Sequence, residues 1–198
     1  MNLTIRDMRR GDLEEMEAWR PYRDPLHELW HIPRRAPLSR DIWFALHSSD
    51  PSRIWFTIER RQDAKVIGAL SLREIIRPLS ARLGIRLGPA FVDRGYGTEA
   101  LRLFLPYYFQ TLGLQRLMLD VGATNRRAIH VYRKLGFRLR GRHYRNVPRE
   151  QDLGLLNEEQ FRELRVYFRR HMGRMQLLFY DMELDRNAWE QQASQTTA

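Results

Sequence analysis

The segment "FVDRGYGTEALRLF" (91–104) constrains the chain more than any other stretch. Gly95, Gly97 and Thr98 crowd into a turn, and apolar residues then return at three- and four-residue steps: Leu101, Phe104, Leu105, Tyr108 and Leu112. That periodicity predicts a helix over 95–112 with an apolar stripe that must pack on another element. The small residues sit at the helix mouth, where the first backbone N–H groups lack intrahelical partners and together carry roughly half a positive charge. A mouth left bare by glycine suits a phosphate. The plainer alternative is a tight turn and nothing more. Pro106 lies inside the predicted helix, where it removes a backbone bond and predicts a kink, at a cost of about 3 kcal/mol unless something compensates.

The flanking segments supply a sheet for that helix. "NLTIRDM" (2–8) alternates like a strand, and "GDLEEMEAWR" follows as a helix, with Asp12 as candidate N-cap and Glu15 at capping-box spacing. Residues 21–38 hold four prolines, which forbid a long helix and predict an irregular loop or the wall of a site. A short helix over 39–49, capped by Ser39, comes next. "RIWFTIERR" (53–61) and "KVIGALSLREI" (65–75) read as a hairpin, 81–91 as a strand ended by Gly88-Pro89, and 116–123 as a buried strand. Residues 125–136 form a short helix stopped by Gly136. A strand over 137–146, an amphipathic helix over 152–173 and a last strand over 174–184 complete the pattern, and the polar end 187–198 has no reason to be ordered.

With 198 residues and 43% apolar content, one sizeable core and a single domain over 1–186 are expected. No window approaches the roughly 18 uninterrupted apolar residues of a membrane span, and the start "MNLTIRDMRRGDLEEM" lacks the apolar core of a signal peptide, so the expected compartment is the cytoplasm. Without cysteine there is no disulfide framework, thiolate zinc site or cysteine nucleophile, and no metal is expected. The net charge is +10, and only Lys65 and Lys134 among the 34 basic side chains are lysines. Arginine's planar fork fits phosphate and carboxylate, which points to an anionic ligand or partner; genomic base composition or a warm habitat would also enrich arginine.

The order of elements, strand, helix, helix, three strands, glycine turn with helix, strand, helix, strand, strand, resembles that of the GNAT acyltransferases. Two segments sharpen the resemblance: "GPAFVDRGYGTEAL" (88–101) is similar to the family's acetyl-CoA signature, and "NRRAIHVYRKLGF" (125–137) to the helix that follows it. It covers about residues 2 to 146 and resumes at the final strand, which leaves 148–172 as a helical insertion. The start of the chain and "GYGTEAL" look most like the branch that includes ribosomal-protein alanine N-acetyltransferases. The implied fold is α/β (α+β): a mixed, mostly antiparallel sheet of about seven strands, flanked by helices and splayed between strands four and five. Leu87 and the "GPAF" step stand where the splay would begin.

The resemblance also implies chemistry. Acetyl-CoA would bind with its diphosphate on the amides from about Arg94 to Glu99, lined by Leu87, Phe91, Val92, Arg94, Gly95, Tyr96, Gly97 and Thr98. The family's turn usually opens on Gln or Arg; Val92 stands there instead, and Arg94 would substitute. Asn125 and Tyr132 are seven apart and so nearly share a helix face; Tyr132 would protonate the departing thiolate and Asn125 would bond coenzyme or acceptor. Arg126, Arg127, Arg133 and Lys134 could meet the terminal phosphate. No glutamate stands on the fourth strand, so Glu74, acting through a water, is the candidate base, with His31 and His143 behind it. The acceptor would be a peptide N-terminus or a small amino compound. The positive charge disfavours polyamines unless Glu158, Glu159 and Glu163 line the acceptor cleft. Two other readings stay open: a GNAT fold that binds coenzyme without turnover, and a nucleic-acid binder using "HYRN" and "VYFRRHMGR". Leu155, Leu156, Phe161, Leu164 and Phe168 could form a homodimer face.

Overall fold

The computed structural model describes residues 2–22, 37–147 and 156–197. The chain falls into two compact units, one of 1–118 with 184–198 and one of 119–183. In the first, β1 (Leu3–Asp7), β2 (Ile54–Arg60), β3 (Lys65–Ile76) and β4 (Ser80–Leu87) pair antiparallel in that order. The predicted hairpin is β2 and β3. Alternation along β2 sends neighbouring aromatics to opposite faces. Trp55 meets Trp43 of α2 (Pro37–Ser48) edge-on at 5.1 Å, and Phe56 meets Phe104 of α3 (Tyr96–Pro106) at 5.3 Å. Helices therefore cover both faces of this part of the sheet. On the Trp55 side, Leu13 and Met16 of α1 (Asp12–Glu17) join Met8, Val66 and Ala69 in one buried cluster.

Asp12 is not the N-cap that its spacing suggests. It opens α1 as the first helical residue, with Gly11 before it, and its buried carboxylate accepts from the Arg6 guanidinium at 2.7 and 2.8 Å, from Thr57 Oγ1 at 2.6 Å and from the Arg9 N–H at 2.7 Å. Burial pushes this carboxyl up, but those bonds outweigh it and hold it below its ordinary value. Glu15 accepts from the Val66 N–H at 3.2 Å instead of closing a capping box.

Strand β5 (Arg116–Gly122) is parallel to β4, paired only at Ser80↔Arg116, Ala81↔Leu117 and Arg82↔Met118. Tyr108, fully buried, pins this short ladder: its hydroxyl accepts from the Ala81 N–H at 2.9 Å and donates to the Arg116 carbonyl at 2.6 Å. The ladder ends at Arg82, so β4 and β5 part five residues before Leu87, the position the sequence suggested. Pro106 closes α3, and a π-type turn over Tyr107–Thr111 follows it, with the Leu112 N–H reaching the Tyr107 carbonyl at 2.9 Å. The chain end is a helix, α5 (Arg186–Thr197), where disorder was expected; Trp189 stacks on Phe109 at 5.2 Å and gives it an anchor.

In the second unit β8 (Arg174–Asp185) lies between β5 and β6 (Arg138–Asn146). β6 pairs antiparallel from Arg138↔Glu183 to Asn146↔Gln176. A strand the sequence did not signal, β7 (Phe168–His171), also pairs β8 antiparallel. The predicted helix over 152–173 is replaced, within the described residues, by β7 and a 3-10 run over Glu159–Tyr167. Leu155 lies outside the described residues; Leu156 is buried, and Phe161, Leu164 and Phe168 are half-buried. Helix α4 (Arg126–Lys134) completes this unit, and Ile129, Tyr132, Leu135 and Phe137 are buried in it. The sheet as a whole is mixed and mostly antiparallel, with eight strands instead of the seven expected.

Candidate active site

The glycine turn of the first unit is built as a helix mouth. Gly95 precedes α3 at φ +79°, and no side chain caps the helix. A Cβ at Gly95 would meet nothing within 4 Å, so the left-handed backbone, not crowding, calls for glycine there. A Cβ at Gly97 would meet only Leu87 Cδ1, at an ordinary 3.6 Å. The protein's own packing therefore does not demand glycine at 97, which fits a position kept open for something outside the chain. Thr98 is half-buried one residue on; Arg94 is exposed, and Val92 is extended and half-buried. Gly88, by contrast, is a packing glycine, because a Cβ would come within 2.8 Å of the Trp19 ring.

Two cations near this mouth escaped the sequence reading. The Arg60 guanidinium and the Lys65 ammonium stand 5.4 and 5.9 Å from the centroid of the buried Phe91 ring. Phe91 packs against Tyr96 at 6.5 Å, and Tyr96 also bonds Arg60. Both cations flank the β2–β3 turn, which the antiparallel order β2-β3-β4 carries to the end of β4. That order was the available signal. Leu87 ends β4 with its carbonyl accepting from the Tyr22 hydroxyl.

Tyr132, in the second unit, is 7% exposed and packs on Phe137 at 5.6 Å, and its hydroxyl makes no hydrogen bond among the described residues. Burial, and then the negative charge of Asp120, push the phenol up from its ordinary 10.0. It stays protonated at any working pH and is suited to donate. Asn125 is the N-cap of α4, its Oδ1 accepting from the Ala128 N–H at 3.1 Å, so its oxygen is engaged within the chain. Arg126 and Arg127 open α4, whereas Arg133 and Lys134 sit in its last turn, about 10 Å along the axis.

Glu74 lies on a bulged part of β3 at φ +53°, largely exposed, with its carboxylate 3.2 Å from Arg82 Nε. His143 is held on β6, its Nδ1 2.8 Å from Asp181 Oδ2 and its Nε2 accepting from Arg145 Nε at 2.9 Å. His31 lies outside the described residues. Glu163 pairs with Arg126 and Glu159 with Arg162, while Glu158 accepts from Gln160; all three are exposed and held by near neighbours. A cavity of about 260 Å³ lined by Asp7, Met8, Trp43, Phe44, His47 and Trp55 opens at the other end of β2 and includes none of the expected site residues.

A family model described as "Acetyltransferase (GNAT) domain" matches residues 2–138. The chain belongs to the GNAT acetyltransferase family. As a GNAT protein it is an N-acetyltransferase, and its relatives agree. The chain is 29% identical over 141 residues to the spermidine N(1)-acetyltransferase of Escherichia coli K12, covering 71% of this chain and 75% of that one. It is 36% identical over 94 residues to the probable N-acetyltransferase YjcK of Bacillus subtilis, covering 46% and 52%. Among solved structures, spermidine N-acetyltransferase from Vibrio cholerae in complex with CoA and spermine superposes with a TM-score of 0.69 at 23% identity, over 96% of this chain and 98% of that one. At that identity the likeness shows the fold. The acceptor named among these relatives is spermidine, whereas the sequence alone pointed to the ribosomal-protein alanine branch.

Proposed function

We propose that this GNAT enzyme transfers the acetyl group of acetyl-CoA to a primary amine, a peptide N-terminus or a small amino compound, by direct attack in a ternary complex. The observation that carries the reading is the bare mouth of α3 behind left-handed Gly95, where no side chain caps the helix and a Cβ at Gly97 would meet only Leu87 at an ordinary 3.6 Å. These amides would hold the diphosphate, with Arg94 and Lys65 supplying formal charge and Thr98 a hydroxyl. Acetyl-CoA brings the activated thioester. Tyr132, kept protonated by burial, gives its proton to the departing thiolate. Backbone N–H groups of β4 beyond its ladder with β5 would polarise the carbonyl. Glu74 receives the amine's proton through a water. An α-amine, with a pKa near 8, asks less of that base than a lysine amine near 10.4.

Acetyl-CoA should raise the melting temperature by ligand linkage, and a thiol-release screen of amines and N-terminal peptides should identify the acceptor. Absence of both signals overturns the reading. The two stretches singled out for nucleic acid have part of their charge engaged: Arg145 binds Asp120 and His143, and Arg169 lies 3.7 Å over the Tyr144 ring and bonds Gln176.

A further inference from the structure

The arm of acetyl-CoA between its diphosphate and its thioester carries amide groups, and an extended amide chain binds readily as an added strand on a free sheet edge. β4 offers such an edge beside the helix mouth. The Gly88 N–H bonds the Ile67 carbonyl at 2.8 Å, so Gly88 and Ile67, which stand opposite one another, form a hydrogen-bonded pair. Antiparallel ladders alternate, and the next pair, Leu87↔Gly68, is therefore a non-hydrogen-bonded one. Leu87 turns its N–H and its carbonyl away from β3, to the side on which the ladder with β5 ended at Arg82. The same residue reaches the mouth of α3: its Cδ1 lies 3.6 Å from where a Cβ on Gly97 would stand.

That carbonyl already has a donor. Tyr22, on the segment that follows α1, gives it the hydrogen bond of its hydroxyl. Trp19, three residues earlier, anchors the segment. Its ring packs on the cluster of Met8, Leu13, Met16, Val66 and Ala69, and lies so near Gly88 that a Cβ there would come within 2.8 Å.

We infer that Tyr22 is a latch on the coenzyme's seat: its hydroxyl makes the bond to the Leu87 carbonyl that an amide N–H of the coenzyme arm takes over on binding, while Trp19 stays in place. This rests on the acetyltransferase reading. A bond present only in the free protein stabilises that form alone and lowers coenzyme affinity by the same factor. Tyr22 therefore sets how tightly the coenzyme is held and how readily it leaves, without touching the reacting atoms. A ligand that ends at the diphosphate leaves the latch closed.

The test compares the natural protein with Tyr22→Phe, using acetyl-CoA and adenosine diphosphate, which has the diphosphate but no arm. By calorimetry, Tyr22→Phe should bind acetyl-CoA about three- to tenfold more tightly and adenosine diphosphate with unchanged affinity. By scanning fluorimetry, the free variant should melt about 2–4 °C below the natural protein, and the two should coincide at saturating acetyl-CoA. Unchanged or weaker acetyl-CoA binding, or an equal gain for adenosine diphosphate, overturns the inference. So does a melting difference that persists under acetyl-CoA, which would mark the Tyr22 bond as structural. If neither ligand binds either protein, the coenzyme reading falls and this inference with it; if both bind and only the differences are missing, this inference fails alone. Should Tyr22→Phe fail to fold, nitration of the natural protein decides. Tetranitromethane should modify Tyr22 faster with acetyl-CoA bound than with adenosine diphosphate bound, and an equal or slower rate overturns the latch.

Discussion

Replacing Gly97 by alanine separates stability from coenzyme binding. Gly97 is the second residue of α3, within helical backbone, and an added Cβ would touch only Leu87 Cδ1 at 3.6 Å. The methyl group fits, and a Gly→Ala change at a compatible position stabilises by about 0.4–1 kcal/mol through the unfolded chain. For a protein of this size that raises the melting temperature by roughly 1–3 °C. A helical Cβ tilts toward the helix N-terminus, so the same methyl stands at the mouth where the diphosphate would rest. Losing one charge-assisted hydrogen bond costs about 1.5–3 kcal/mol, which weakens acetyl-CoA binding by about tenfold or more. Differential scanning fluorimetry of the free protein and titration calorimetry with acetyl-CoA measure the two effects. Gly95→Ala is the control with the opposite sign on stability, because φ is +79° and the left-handed backbone costs an alanine about 1–2 kcal/mol. A Gly97→Ala protein that is more stable and binds acetyl-CoA with unchanged affinity would refute the assignment of the helix mouth.

Three further outcomes are expected. Tyr132→Phe removes a hydroxyl with no hydrogen bond among the described residues, so stability should change by less than about 0.5 kcal/mol while kcat falls on the order of a hundredfold and coenzyme affinity is kept; an unchanged kcat sinks the proton-donor role. Glu74→Gln should lower kcat/KM on the order of tenfold with little change in melting temperature, since its ion pair with Arg82 is largely exposed; full activity would remove it as base. Asp12→Asn should destabilise by about 2 kcal/mol at pH 7 by weakening the bonds from Arg6 and Thr57. Because the folded state holds this carboxyl below its ordinary 3.8, its contribution is complete above about pH 4 and lost as pH falls through the folded value. Urea titrations should thus show the gap between natural and variant proteins narrowing as pH falls below 3.8, and a gap that stays constant all the way into the acid range would contradict the linkage.

What was legible in the sequence was local. The period-two stretches became β1 to β4 and the hairpin, the glycine turn became the start of α3, and Asn125 and Gly136 bracket α4 as start and stop signals do. Where tertiary contacts decide, the pattern misled. The 152–173 stretch has a helical apolar period, yet residues 168–171 pair with β8, because a strand beside Arg174–Leu177 satisfies backbone groups that a helix there would leave open. The chain end has no apolar period of its own, and one ring, Trp189 on Phe109, is enough to give it a partner. Lys65 and Arg60 looked like ordinary turn charges until strand order brought them to Phe91.

The net charge of +10 shows the same limit in a form that bears on function. Counted along the chain, arginines on β6 suggest a field that attracts anions and repels polycations everywhere. The register of β6 on β8 assigns them instead: Arg140 goes to Glu183, and Arg145 goes to Asp120 on β5, a residue 25 positions earlier. No local pattern encodes a pair so far apart in sequence, since it exists only once three strands are aligned. Screening by solvent makes distant surface charges count for little, whereas Arg145, itself 43% exposed, reaches at 2.7 Å a carboxylate whose side chain is only 6% exposed.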